Sequence, residues 1–95
     1  MPILKLELTI EIKGRKVKRE DAELLREKLS EKLKLNHEGD EVKIEKISER
    51  SIKISIIASS GRYNLNTLKI RHVAEVFLGE IGTISQKIIG CEVPT

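Results

Sequence analysis

From Leu4 to Lys13 apolar and polar side chains alternate without a break: Leu4, Leu6, Leu8, Ile10 and Ile12 fall on one parity, and Lys5, Glu7, Thr9, Glu11 and Lys13 on the other. A period of two belongs to a half-buried strand, here ended by Gly14. The basic stretch Arg15-Lys16-Val17-Lys18-Arg19 leads to Glu20, Asp21 and Glu23, acidic residues of the kind favoured in a first helical turn. Ala22, Leu25, Leu29 and Leu33 then recur at helical spacing with Leu24 alongside, so a helix is expected from about Glu20 to Leu35. The cluster Asn36-His37-Glu38-Gly39-Asp40 is a turn that stops it.

Alternation resumes with Val42 and Ile44 against Glu41, Lys43 and Glu45. After Ser48-Glu49-Arg50-Ser51 it continues with Ile52, Ile54, Ile56 and Ala58 against Lys53, Ser55 and Ile57. Two such runs predict a hairpin, and the broken period between Ile44 and Ile47 predicts a bulge or an early turn. Ser59 to Asn64 reads as a loop, with Asn66 or Thr67 as a helix cap. Ile70, Val73, Ala74, Phe77, Ile81, Ile84 and Ile88 then fall at offsets 0, 3, 4, 7, 11, 14 and 18, a single helical stripe. Gly79 and Gly82 interrupt it, each costing about 1 kcal/mol relative to Ala in a helix interior, so this helix either packs closely there or breaks in two. Cys91 to Thr95 is too short to count as a strand.

The expected fold is therefore α+β in the order β-α-β-β-α, a three-stranded sheet with two helices packed on one face and charge on the other, forming a single domain over residues 1–95. A right-handed crossover would set the first strand parallel and adjacent to the third. In the split βαβ plan a fourth strand usually covers the outer edge of the first, and none is expected here. That open edge predicts pairing with another copy of the same strand across a twofold axis, a dimer with a continuous sheet.

Composition narrows the function. Charged residues make up 35% of the 95 positions and aromatics 2%, so the core has to be aliphatic. The wealth of Lys and Glu, with Gln86 the only glutamine, is the bias associated with proteins from hot environments. The net charge of +3 comes from 18 basic against 15 acidic residues, a small imbalance on a densely mixed surface and a weak pointer to nucleic acid. One cysteine, Cys91, rules out an internal disulfide, and no apolar run approaches the roughly 20 residues that span a bilayer. The first residues alternate with charge and lack the apolar run of a signal peptide, so a cytoplasmic location is expected.

Candidate chemistry is sparse. His37 and His72 have no cysteine or second histidine at ligand spacing, and no nucleophile elbow, P-loop or paired-cysteine motif occurs, so no catalytic residue, metal or cofactor is expected. Arg15, Lys16, Lys18 and Arg19 could clamp phosphates, joined by Arg62, Lys69 and Arg71, yet Glu20 and Asp21 stand beside them and no aromatic interleaves the charges for stacking. The run Leu78-Gly79-Glu80-Ile81-Gly82 is similar to the helix, Gly-x-x-Gly, helix device by which KH domains hold single-stranded RNA, although Glu80 is the wrong charge for phosphate. Leu68, Val76 and Leu78 lie off the core stripe of the second helix and are available to the first helix or to another protein.

The strand pair Val42 to Ala58, leading through a loop into Thr67-Leu68-Lys69, resembles the small Pcc-type subunit of the KEOPS complex, whose helix starts Ser-Leu-Arg. The resemblance extends from about Leu4 to Ile88 in the order and length of elements. The family's following Asn-Ser pair and Arg are replaced here by Val73-Ala74 and Phe77, which suits a diverged paralogue. The resemblance implies a non-catalytic role: a homodimer, or a heterodimer with a paralogue, that docks the catalytic subunit of a complex making threonylcarbamoyl-adenosine in tRNA and helps to hold tRNA. It implies a helix-start role for Lys69 and helix packing by Phe77 and Ile81.

Overall fold

In the computed structural model, residues 3–59 and 67–92 are described, without the side chains of residues 91 and 92. The strict alternation near the N-terminus becomes β1 (Ile3–Ile12), in which Leu6, Leu8, Ile10 and Ile12 are buried while Lys5 and Glu11 are exposed. The first helix, α1 (Arg19–Lys32), buries Ala22, Leu25 and Leu29. Its start is held by Asp21, whose carboxylate accepts the Lys18 N–H at 2.8 Å. It ends three residues earlier than the apolar stripe suggests, because Lys34 takes a left-handed φ of 55°. The Leu35 N–H then bonds back to the Ser30 carbonyl at 2.9 Å and the Lys34 N–H to that of Glu31, a Schellman closure in which Leu35 is buried without being helical.

The hairpin forms as expected, with β2 (Glu41–Ile47) antiparallel to β3 (Ser51–Ala58) and a register shift between Ile44 and Lys46 where the sequence period breaks. The second helix, α2 (Thr67–Leu78), buries Ile70, Val73, Ala74 and Leu78. Gly79 follows with φ +94°, and its N–H still reaches the Glu75 carbonyl at 3.2 Å. This is the left-handed exit that glycine adopts without strain, and the helix ends there.

Beyond it the expected helix is replaced by a strand, β4 (Ile81–Glu92). The Ile81, Ile84 and Ile88 spacing fits a helix by coincidence. Local composition decides otherwise, since Ile81, Thr83, Ile84, Ile88 and Ile89 are all β-branched and pack better on a pleated surface than in a helix. The sheet accordingly has four strands in the order β2-β3-β1-β4, not three, and every neighbouring pair is antiparallel. The expectation that β1 lies parallel to β3 is corrected. β1 runs parallel to β2, and β3 is inserted between them. The expected dimer through an open edge of β1 also falls, because β4 covers that edge.

Both helices do pack on one face. Leu6, Leu8, Ile10, Ile52, Ile54 and Ile56 meet Leu25, Leu29, Ile70 and Ala74 in one aliphatic core. The opposite face carries Lys5, Glu7, Thr9 and Glu11 beside Lys53, Ser55 and Lys43, with Lys53 Nζ 3.2 Å from Glu7 and the Ser55 hydroxyl donating to Glu45 at 2.8 Å. No helix among the described residues is long and apolar enough to cross a membrane.

Candidate functional site

Of the basic stretch that could clamp phosphates, Arg15 is committed to holding the fold together, while Lys16, Lys18 and Arg19 are exposed. Arg15 forms a two-pronged ion pair with Asp21 at 2.7 and 3.0 Å and also donates to the Leu78 carbonyl at 3.0 Å. It thereby ties the start of α1 to the end of α2. The hydrogen bond from Arg15 is the chief reason the Asp21 carboxyl lies below the usual carboxylate range, with burial opposing and the Lys18 N–H assisting. Arg71 donates to the carbonyls of Ile81 at 3.3 Å and Gly82 at 2.7 Å, so it anchors the beginning of β4 to α2. Arg19 lies 3.7 Å from Glu23 and Lys16 4.0 Å from Glu49, both pairs well exposed, while Lys18 is exposed at the helix start. Arg62 and the proposed Asn66 cap lie outside the described residues. The basic residues thus form scattered ion pairs and two structural ties rather than one phosphate-facing patch.

The Gly-x-x-Gly run is corrected in the same way. Gly79 closes α2 and Gly82 lies within β4, so the run is a helix-to-strand turn and has no helix after it. Gly82 has a different use: a β-carbon there would collide with the Glu11 carboxylate, which leans across from β1 and accepts the Thr83 N–H at 3.2 Å.

His37 belongs to a turn knot. The Asp40 side chain is fully enclosed and accepts the His37 N–H at 2.9 Å, the Ser59 N–H at 2.8 Å and the Ser59 hydroxyl at 2.7 Å. The carboxylate occupies the centre of this arrangement, whereas proton relay to a nucleophilic serine needs the imidazole there. The knot fastens the turn after α1 to the end of β3. Among the described residues no three His, Cys, Asp or Glu side chains are gathered for a metal.

What the surface does offer is apolar. Among the described residues the large exposed hydrophobic side chains are Leu68 (73% exposed) and Val76 (60%) on α2, with Ile88 (62%) and Ile89 (46%) on β4. The two elements are spatial neighbours. Of the residues expected to bind a partner, Leu68, Lys69 and Val76 stand on the outer side of α2, and Phe77 is half-buried with Lys28 Nζ 5.1 Å from its ring centre, a cation–π contact. Lys32, Lys69, His72, Val73, Val76 and Phe77 line a groove of about 430 Å³. Leu78 and Ile81 are corrected, since both are buried in the core and present nothing to a partner.

Ile88 and Ile89 are hard to single out in the sequence because Ile88 falls at helical spacing from Ile81 and Ile84. Their signal was the β-branched run between Gly82 and Gly90. Ile84, Gln86 and Ile88 pair with Ile10, Leu8 and Leu6, so they share the helix-covered face. The hydroxyl of Thr67, the first residue of α2, bonds to Gln86, and the helix therefore covers β4 only from Ile81 to Gln86. Ile88 lies past that cover, on the sheet's outer edge. Comparison of the chain with models of protein families, with curated proteins and with solved structures returned no match.

Proposed function

We propose that this chain is a non-catalytic assembly subunit that joins other protein through α2 and β4 and works in the cytoplasm. The observation that carries the reading is the concentration of exposed Leu68, Val76, Ile88 and Ile89 on two adjacent elements. Apolar side chains grouped in this way, beside a groove, are what a protein interface covers. The resemblance to Pcc-type subunits gives the proposal a specific form: a dimerising subunit of a KEOPS-like complex for threonylcarbamoyl-adenosine modification of tRNA, docking the catalytic subunit on α2. Supporting this form is the Thr67-Leu68-Lys69 start of α2, where Leu68 and Lys69 are exposed as docking requires.

Affinity capture of native complexes through the full chain, at low and at moderate salt, tests the reading. The expected result is a protein of fixed stoichiometry retained at both salt concentrations and lost with the double variant Leu68→Asp, Val76→Asp. Retention of the same protein by that variant contradicts docking on α2. Recovery of nucleic acid that disappears as salt rises would replace the reading with an RNA-binding one.

A further inference from the structure

The outer edge of β4 is built to receive a second copy of itself. β4 is an edge strand of 12 residues, and Lys87 is its one charged residue between Ile81 and Gly90. An edge this long, with few charges and with exposed isoleucines, offers unpaired backbone N–H and C=O groups to any strand that fits. Side-chain chemistry decides which strand does. In an antiparallel pair, residues directly opposite share a face and their side chains touch. β4 also has two bulges in its pairing with β1: Lys5 meets Gly90 and Leu6 meets Ile88, with Ile89 extra, and Ile10 meets Ile84 and Ile12 meets Ile81, with Gly82 and Thr83 against Glu11, so the regular stretch runs from Ile84 to Ile88.

We infer that two copies pair antiparallel through Ile84-Ser85-Gln86-Lys87-Ile88, with the twofold axis at Gln86, to form one continuous eight-stranded sheet. This rests on the proposed assembly role and names the occupant of one of its two surfaces. In this register Ile88 of each copy lies opposite Ile84 of the other, on the helix-covered face and beyond the reach of its own α2. The exposed isoleucine thus gains the cover its own chain does not give it. On the opposite face Lys87 meets the other copy's Ser85, with that copy's Thr83 and Lys87 on the two diagonals and Glu7 of its own chain across from it on β1. The Glu11 carboxylate is hydrogen bonded to the Thr83 N–H, so an acid of each copy stands near the lysine of the other. That charge complementarity occurs twice across the axis.

Neighbouring registers lack these features. An axis at Lys87 sets the two lysines against each other, which destabilises a strand pair. An axis at Ser85 places Ile88 opposite Gly82 and leaves it uncovered. β2, the other edge, carries Glu41, Lys43, Glu45 and Lys46, charges of the kind by which edge strands avoid pairing.

Sedimentation equilibrium of the full chain through the micromolar range tests self-pairing. The expected mass is twice 10.8 kDa, falling to that of one chain for Ile88→Lys. Because Ile88 is exposed, the variant should keep the parent's circular dichroism and melt cooperatively at the temperature of the parent diluted to a monomer, which separates lost pairing from lost folding. Cysteine cross-linking in a Cys91→Ser background tests the register, since opposed Cα atoms of a strand pair fall within disulfide reach. Gln86→Cys is expected to give a covalent dimer on mild oxidation, faster than Ser85→Cys or Lys87→Cys. A monomer at every concentration, a dimer unaffected by Ile88→Lys, or preferred cross-linking at position 85 or 87 overturns the inference. A monomer that still captures its partner through Leu68 and Val76 would leave the proposed function standing and remove only this interface. A dimer that captures nothing would do the reverse.

Discussion

Four of the seven residues of β2 are charged, and a bulge twists the strand between Ile44 and Lys46. β4 is nearly twice as long, carries only Lys87 and Glu92 as charges, and exposes Ile88 and Ile89. Both are edges of one sheet and both descend from β-branched sequence, yet one is defended and the other is not. The contrast teaches where to look for a partner. Charge at an edge opposes pairing, and its relative absence at the other edge, where apolar groups face water, marks a surface that gains by being covered.

The comparison breaks most completely at the centre on which both edges hang. Leu8 is fully buried on β1, and Leu8→Ala should cost about 2–5 kcal/mol, with β2 and β4 lost in one transition in a urea titration followed by amide signals. Separate melting of β4 would show that the edges do not share a core. Next in size, Arg71→Ala removes two hydrogen bonds from a guanidinium to the carbonyls of Ile81 and Gly82. Bonds of this charged kind contribute about 1.5–3 kcal/mol. Hydrogen exchange should accelerate at residues 81–84 and stay unchanged in β2.

A smaller effect concerns the tie from Arg15 to Asp21 and the Leu78 carbonyl, which sets the end of α2 just before β4. The folded state lowers the pKa of Asp21, chiefly through the Arg15 hydrogen bond. A depressed carboxyl stabilises the fold at pH above its unfolded value, about 3.9, and that contribution is lost as pH falls through the folded value. Asp21→Asn should therefore cost about 1 kcal/mol at neutral pH, and the difference from the parent should vanish in strong acid. A pH-independent difference in urea midpoints would refute the ionic origin. The smallest change in stability, within about 0.5 kcal/mol, is expected for Lys43→Val with Lys46→Val on β2. Its effect should appear instead in light scattering, as association beyond the dimer through the newly apolar edge.

Much of this fold was legible along the chain because burial on one face imposes a period. The alternation from Leu4 to Ile12, the hairpin with its break near Glu45, and the stripe of α1 were all visible for that reason. β4 was not, because isoleucines at positions 81, 84 and 88 satisfy a helical spacing, and only Gly79 in a left-handed exit shows that the helix stops at Leu78. The antiparallel pairing of β1 with β3 follows from the hairpin: the crossover through α1 sets β2 parallel to β1, and β3 returns between them, so the expected parallel pair misplaced the strand that the crossover makes parallel. Of the residues expected to bind a partner, Leu68 and Val76 could be picked out as apolar positions off the core stripe, and Lys69 is indicated only by the resemblance at the helix start. Leu78 and Ile81 could not be excluded without knowing that the chain turns between them. Arg15 and Arg71 read as free cations because their acceptors, the carbonyls of Leu78, Ile81 and Gly82, belong to the backbone and leave no mark on side-chain pattern.

The proposed assembly joins protein at the β4 edge and not at the β2 edge. A dilution series monitored by amide hydrogen exchange addresses both edges in one sample. Alternate amides between Ile84 and Ile88 should be protected at high concentration and exchange freely on dilution, with Glu41 to Ile47 indifferent throughout. Concentration-dependent protection in β2, or none in either strand, would contradict it.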